Sequence, residues 1–321
     1  MNKIDRVVNT IRGSQVDHIP MGFWLHFPKE VILGGVDAQV NAHIEFKNKT
    51  KTDILKIMNE NEMRSNDKIE NIWDWKKIRK LNKNSDLIVN QREILKRVVE
   101  ENDGDCFLLG TVHGLMASLS HSSGHSYTSS PQLIKDHYKR EPQMVLDAVS
   151  IIEENTQMML EETLNSGVNG IYYAALGGEK DKLTDEEFEA ILKPGEIRLL
   201  SQAKNKKDNA VFLHMCKEKV ALKRYQDYPC DVVNWAMHES NYSFDECKTI
   251  FGDKVFLGGF DDRSGVLVDG DASSVRKELL RIEEMFGDNR YIVGADCTLP
   301  TEIDFARIRM VHDILETDKT L

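Results

Sequence analysis

The strongest constraint on what this chain can fold into is a rhythm that runs its whole length. A short apolar run is followed by a longer stretch with helical spacing, and then by another apolar run. The runs occupy residues 21–27, 53–60, 105–114, 168–175, 209–216, 231–239, 254–262 and 290–297, eight in all. Helical candidates lie between them at 88–101, 142–165, 184–206, 243–251, 272–286 and 301–315. An opening amphipathic helix at 3–12 carries Ile4, Val7, Val8 and Ile11 on one face. Thr184 before Asp185-Glu186-Glu187 and Ser243 before Asp245-Glu246 read as N-caps, and Gly167, Gly252 and Gly287 as stops. Strands buried on both faces and joined by helices make a parallel sheet. Eight such alternations predict an α/β fold, a (β/α)8 TIM barrel, as a single domain over residues 1–321 with an N-terminal helix. The rival, a doubly wound open sheet, calls for a G-x-G-x-x-G turn after an early strand, and none is present. The polar stretch 61–86 is expected as a partly helical excursion over the barrel mouth, and the Ser/His/Gly-rich stretch 114–130 as a loop beside it.

Charge narrows the partners. A net charge of -11 argues against nucleic acid or an anionic membrane as the main target, because both select basic patches. No apolar stretch approaches the roughly 20 residues that span a bilayer. Met1–Arg6 is a charged helix start with no signal-peptide core behind it. Five cysteines in 321 residues do not form a disulfide framework. A reducing cytoplasm is the expected compartment.

In a barrel the carboxyl ends of the strands converge on one face, and chemistry is built there. The run ends supply His26, Glu60, His113, Tyr172 and Tyr173, His214 and Cys216, Glu239, Asp261 and Asp262, and Cys297. His214 and Cys216 stand two apart, so an extended strand points both to one side. Cys297 ends the last run. One imidazole and two thiolates form the soft ligand set of a zinc with an open fourth position. The other cysteines sort elsewhere: Cys106 and Cys230 at strand starts, Cys247 in a helix. A lone cysteine is ordinarily a small buried hydrophobe. Two cysteines and a histidine converging at strand ends are the more telling pattern. Glu60 and Glu239 are the candidate catalytic carboxylates, Glu239 also serving as a displaceable fourth ligand or as a group that orients His214 or His238. Trp24, His26, His113, Tyr172, Tyr173 and Asp261 are the candidate substrate contacts, with Trp24, His26 and Phe27 as one wall of a pocket.

The sequence resembles the uroporphyrinogen decarboxylase superfamily. The resemblance lies in Asp17-His18-Ile19-Pro20, in Phe212-Leu213-His214-Met215-Cys216, in Phe256-Leu257-Gly258-Gly259-Phe260-Asp261 and in the stretch from Tyr291 to Pro300. It covers nearly the whole chain and implies a (β/α)8 barrel. True decarboxylases of this superfamily carry an arginine-bearing R-Q-A-G-R segment after the first strand. Here that place holds His26-Phe27-Pro28-Lys29-Glu30, with both arginines missing. Their catalytic aspartate corresponds to Glu60. In motif the chain is more similar to the zinc- and corrinoid-dependent methyltransferases, the methylcobamide:coenzyme M methyltransferase and O-demethylase type. Their His-x-Cys…Cys zinc set is matched by His214, Cys216 and Cys297. Lys217 departs from that pattern, where a glycine often follows.

The resemblance implies a Zn2+-dependent methyltransferase that moves a methyl group between a small methyl donor or thiol acceptor and the cobalt of a corrinoid. No corrinoid-binding D-x-H-x-x-G segment is present, so the cobalamin is expected on a partner corrinoid protein. The rivals are a metal-free, decarboxylase-like lyase and a barrel that binds zinc or a ligand without turnover. The oligomeric state is open, a homodimer included.

Overall fold

The computed structural model describes residues 1–318. Seven parallel strands form one sheet in sequence order: β1 (Ile54–Ile57), β2 (Phe107–His113), β3 (Gly170–Ala175), β4 (Ala210–Met215), β5 (Val232–Trp235), β6 (Val255–Phe260) and β7 (Tyr291–Ala295). Each falls inside one of the apolar runs, and nearly every strand residue is buried. That burial follows from the architecture, since the outer sheet face is covered by helices and the inner face by opposing strands. The arrangement is TIM-barrel-like.

The run at 21–27 does not become a regular strand. Met21 bridges Val293 of β7 and Gly22 bridges Ile54 of β1, while Leu25 bridges Leu299. The Gly22 N–H donates to Val293 O at 2.9 Å, and Met21 O accepts from the N–H groups of both Asp53 and Ile54 at 3.2 Å. The run is bracketed by Pro20 and Pro28, and the Met21 N–H is taken by the Asp53 carboxylate at 2.9 Å. The continuous ladder expected for an eighth strand is therefore replaced by isolated contacts with the two edge strands.

Most helices follow their sequence signals. Lys3–Arg12 is closed by Gly13 at φ 71°, and Thr184 and Ser243 each complete a capping box with the glutamate three residues on. The single helix expected at 184–206 is two, Asp185–Ile191 and Lys193–Asn205, because Pro194 opens a new first turn. Residues 115–122, expected as loop, form a buried helix, Leu115–Ser122. Its serines do not compete with the helix. The Ser120 hydroxyl donates to Met116 O at 2.8 Å, and Ser123, at the C-cap, donates to Ser120 O at 2.7 Å. Within 61–86 the helical content ahead of the helix that starts at Asp86 is one 3-10 turn, Ile72–Lys77, anchored by Trp75, whose indole N–H donates to His137 Nδ1 at 2.9 Å.

At the amino-terminal end of the strands, the buried Arg6 guanidinium ties the first helix to Asp53 and to Asp17, the latter at 2.7 Å. Among the described residues, no helix is long and apolar enough to cross a membrane.

Candidate metal centre

The strand ladders continue just far enough to aim the three predicted ligands. Beyond the end of β4, the Cys216 N–H still donates to Ala175 O at 2.9 Å, so His214 and Cys216 keep the two-residue alternation and share a side. Beyond β7, the Asp296 N–H donates to Phe260 O at 2.9 Å, which carries Cys297 to the same place. A ligand atom from each of His214, Cys216 and Cys297 lies within 4.8 Å of the other two. Cys297 Sγ sits 3.4 Å from His214 Nε2 and 4.0 Å from Cys216 Sγ.

His214 is held from behind. Its Nδ1 lies 2.6 Å from Asn234 Oδ1, and Tyr172 stacks on the imidazole with ring centroids 5.4 Å apart. The remaining ring nitrogen, Nε2, faces the sulfurs. The Cys216–Cys297 contact and the neighbouring His214 push the Cys297 thiol well below the usual thiol range. The same contact, with burial, pushes Cys216 up. Two close-set thiols beside an imidazole nitrogen make a donor set that a soft divalent cation would complete. The donor set fits a zinc ion.

Lys217, directly after Cys216, stands at φ 86°, in the left-handed region that favours glycine, and Lys219 follows at φ 54°. This turn leads into a cleft of about 810 Å³ lined by Tyr127, Glu179, Lys182, Lys217, Val220 and Tyr242. The Tyr127 hydroxyl closes its inner edge by donating to Glu179 Oε2 at 2.7 Å.

A second group of titratable side chains stands on the first two strands. Glu60 Oε1 lies 2.9 Å from Nδ1 of the exposed His26. Burial opposes the Glu60 charge, but the His26 hydrogen bond and the charges of Lys56 and His113 hold its carboxyl below the usual range. Burial, with His121 and Lys56 nearby, drives His113 down to about 3, so its ring is neutral at ordinary pH. Lys56 is inward-facing and 6% exposed, with its ammonium 4.2 Å from the Tyr172 ring centroid and 5.5 Å from that of Trp24. Burial lowers its pKa to about 8, against the opposing pull of Cys297, Glu60 and Cys216.

The structure therefore gathers Trp24, Tyr172, His26, Glu60 and His113 around Lys56, and Tyr172 joins that group to the His214 side. It turns three other candidates elsewhere. Tyr173 follows Tyr172 and so points to the opposite face, where its hydroxyl donates to the buried Glu196 at 3.1 Å. Asp261 caps its own turn, accepting from the Arg263 and Ser264 N–H groups and the Ser264 hydroxyl. Glu239 is 38% exposed and pairs with Arg263 at 3.7 Å; its carboxylate is not among the gathered ligand atoms. For Tyr173 and Asp261 the adjacent residue, Tyr172 and Asp262, occupies the inner face. The neighbour of Asp261, Asp262, is buried, and burial together with Cys297 lifts its pKa to about 6.

Three residues escaped the sequence reading: Lys56, Asn234 and Asp296. The first two left a readable signal, a lysine and an asparagine in the middle of apolar strand runs where β-propensity disfavours both. Asp296 Oδ2 accepts from the His238 N–H at 2.8 Å and lies 3.1 Å from its Nδ1, which accounts for His238 without the metal.

The profile of the family described as Uroporphyrinogen decarboxylase (URO-D) matches residues 56–317. The chain belongs to that family. No curated protein matches it by sequence. Among solved structures, it is similar to a methyltransferase from Methanosarcina mazei, with 13% identity, a TM-score of 0.77 and 98% of each chain covered. It is also similar to a B12-independent methionine synthase from Shewanella sp. W3-18-1, solved with selenomethionine, at 12% identity and a TM-score of 0.55, covering 93% of this chain and 94% of that one. A putative vitamin-B12 independent methionine synthase from Listeria monocytogenes follows at 10% identity and a TM-score of 0.51, with 93% and 96% covered. At these identities the likeness is one of fold.

Proposed function

We propose that this URO-D family member is a zinc-dependent methyltransferase that exchanges a methyl group between a small donor or thiol acceptor and the cobalt of a corrinoid on a partner protein. The reading takes the fold as a single-domain (β/α)8 barrel, with residues 21–27 as a shortened first strand between β7 and β1, working in the cytoplasm. The observation that carries it is the meeting of one imidazole nitrogen and two sulfurs, from β4 and the end of β7, within 4.8 Å of one another. Fold likeness to methyl-transferring enzymes agrees with it, and so does the loss of both arginines where a porphyrinogen decarboxylase would grip its substrate.

Bound zinc would supply Lewis acidity to the heteroatom that gains or loses the methyl group. His214, Cys216 and Cys297 would hold the ion, and their count leaves one position for that heteroatom. The rest falls to the side chains across the mouth. Trp24 and Tyr172 form an apolar floor that excludes water from the reacting group. Glu60 takes a proton at Oε1 or passes it to the exposed His26, which connects the floor to solvent. Neutral His113 offers a hydrogen bond to substrate without adding charge. The cleft beyond Lys217 has room for the body of a small substrate.

The deciding experiment pairs metal content with methyl transfer. Purified protein is expected to carry about one zinc, and Cys216→Ala to lose it. Methylcobalamin is expected to lose its methyl group to a member of a thiol panel, or cob(I)alamin to gain one from a methyl donor, followed by visible absorption. Full zinc in the Cys216 variant overturns the ligand assignment. Zinc-loaded protein that is inactive in both directions across the panels overturns the activity.

A further inference from the structure

We infer that Asn234 is a positioning residue: it locks His214 in the tautomer whose Nε2 lone pair faces Cys216 and Cys297, and so sets how tightly the centre holds its ion. The inference rests on the metal reading above. The geometry leaves the amide no alternative orientation. Asn234 is 2% exposed and is the register partner of His214 on the adjacent strand, so the two side chains stand next to each other on one face. Both hydrogens of its Nδ2 are committed, one to Leu257 O on β6 at 2.9 Å and one to Ala295 O on β7 at 3.0 Å. Rotating the amide would set its oxygen against those two carbonyls and its NH2 against His214. Oδ1 must therefore face the imidazole at 2.6 Å as an acceptor, which makes Nδ1 the protonated nitrogen and leaves Nε2 bare.

A second consequence comes from the same side chain. Ala295 lies two residues before Cys297, so the Nδ2 bond that fixes the amide also fixes the end of the strand that delivers the third ligand. One residue thereby registers the imidazole through its oxygen and the distal cysteine through its nitrogen. Tyr172 completes the support, stacked on the ring at an interplanar angle of 22° with its hydroxyl 3.4 Å from Asn234 Oδ1. An outer group of this kind typically changes metal affinity about 10- to 100-fold when removed.

Two variants separate positioning from mere strand-tying. Asn234→Leu and Asn234→Asp both lose the two N–H bonds to β6 and β7, but only the aspartate keeps an acceptor for Nδ1. Zinc affinity is measured by competition with a chromogenic chelator, and coordination by the visible absorption of the cobalt(II)-substituted protein. The expected result is an affinity loss of about 10- to 100-fold and an altered cobalt spectrum for Asn234→Leu, with affinity and spectrum partly restored in Asn234→Asp, which keeps the acceptor for Nδ1 but not the bond to Ala295 O. Equal losses in both variants, or no loss in Asn234→Leu, overturn the inference. Should neither variant fold by circular dichroism, the unsubstituted metal-free protein labelled with 15N-histidine decides it. A protonated Nδ1 on His214 supports the assignment and a protonated Nε2 overturns it. Unsubstituted protein that takes up no zinc overturns the metal reading, whereas an Nε2–H tautomer in protein that does take up zinc overturns this inference alone.

Discussion

Replacing Lys56 with methionine is expected to make the protein more stable and a poorer enzyme. The ammonium is buried with no carboxylate within ion-pair distance among the described residues, and its lining is the faces of Trp24 and Tyr172. Cation–π contact offsets only part of the lost hydration. The imbalance is visible in its titration, which moves from the ordinary 10.5 to about 8, with burial as the main cause. At 1.36 kcal/mol per unit, keeping the charged form in the fold costs about 3 kcal/mol relative to the unfolded chain. Below pH 8 the lysine is protonated in both states and the whole cost is present. Between about 8 and 10.5 the unfolded chain binds the extra proton, so this lysine's contribution makes stability rise with pH and then level off. Methionine fills a similar volume without charge. Lys56→Met should therefore gain about 1–3 kcal/mol at pH 7, and the gain should vanish by about pH 10.5. The assay is urea unfolding of metal-free protein at pH 7, 8.5 and 10, comparing the two chains at each pH. A variant that is less stable at pH 7, or whose advantage does not shrink as pH rises, refutes the reasoning. Methyl transfer should fall at the same time, the trade expected where a fold keeps a costly charge for use.

Other perturbations test the frame around the site. Glu196 is buried against the hydroxyls of Tyr173 and Tyr228, and burial lifts its pKa from 4.5 to about 7. The folded state then binds the extra proton between those values, so stability should fall by about 3 kcal/mol from pH 4.5 to 7. Glu196→Gln should flatten that slope in a denaturation series and gain stability at pH 8. Asp53→Asn breaks the buried pair with Arg6 and should cost about 3–5 kcal/mol by urea unfolding. Ser243→Ala removes a capping box that contributes no donor to the centre and should lower stability by about 1 kcal/mol while leaving zinc content unchanged. Adding zinc at about 1,000 times its dissociation constant should raise stability by about 4 kcal/mol, and a chelator should reverse the gain in a thermal melt.

The sequence was legible where local physics had nothing to compete with. Seven strands fell inside seven apolar runs because residues buried on both faces must be apolar whatever surrounds them. The eighth run was equally apolar, but hydropathy does not report that Asp53, 32 residues away, would take the Met21 N–H and interrupt the ladder. The three gathered ligands were legible because strand alternation fixed two of them and the position at a strand end fixed the third. The same alternation was not carried to its end for the paired residues. Tyr172 and Asp262 point inward, and Tyr173 and Asp261 do not, a parity that a register anchored on His214 would have given for the tyrosines. Lys56 and Asn234 were passed over, since their roles depend on partners from other strands that no local pattern names.

The centre draws its donors from β4 and from a residue 81 positions further on, with β5 and β6 between them in the sheet. During synthesis His214 and Cys216 leave the ribosome long before Cys297 does, and for that interval they offer an ion only a two-point grip. On the proposed reading, firm capture would have to wait until the seventh strand has docked. Metal loading would then be a late event that reports a finished fold, and a bound ion would fasten two strands that are not neighbours in the sheet.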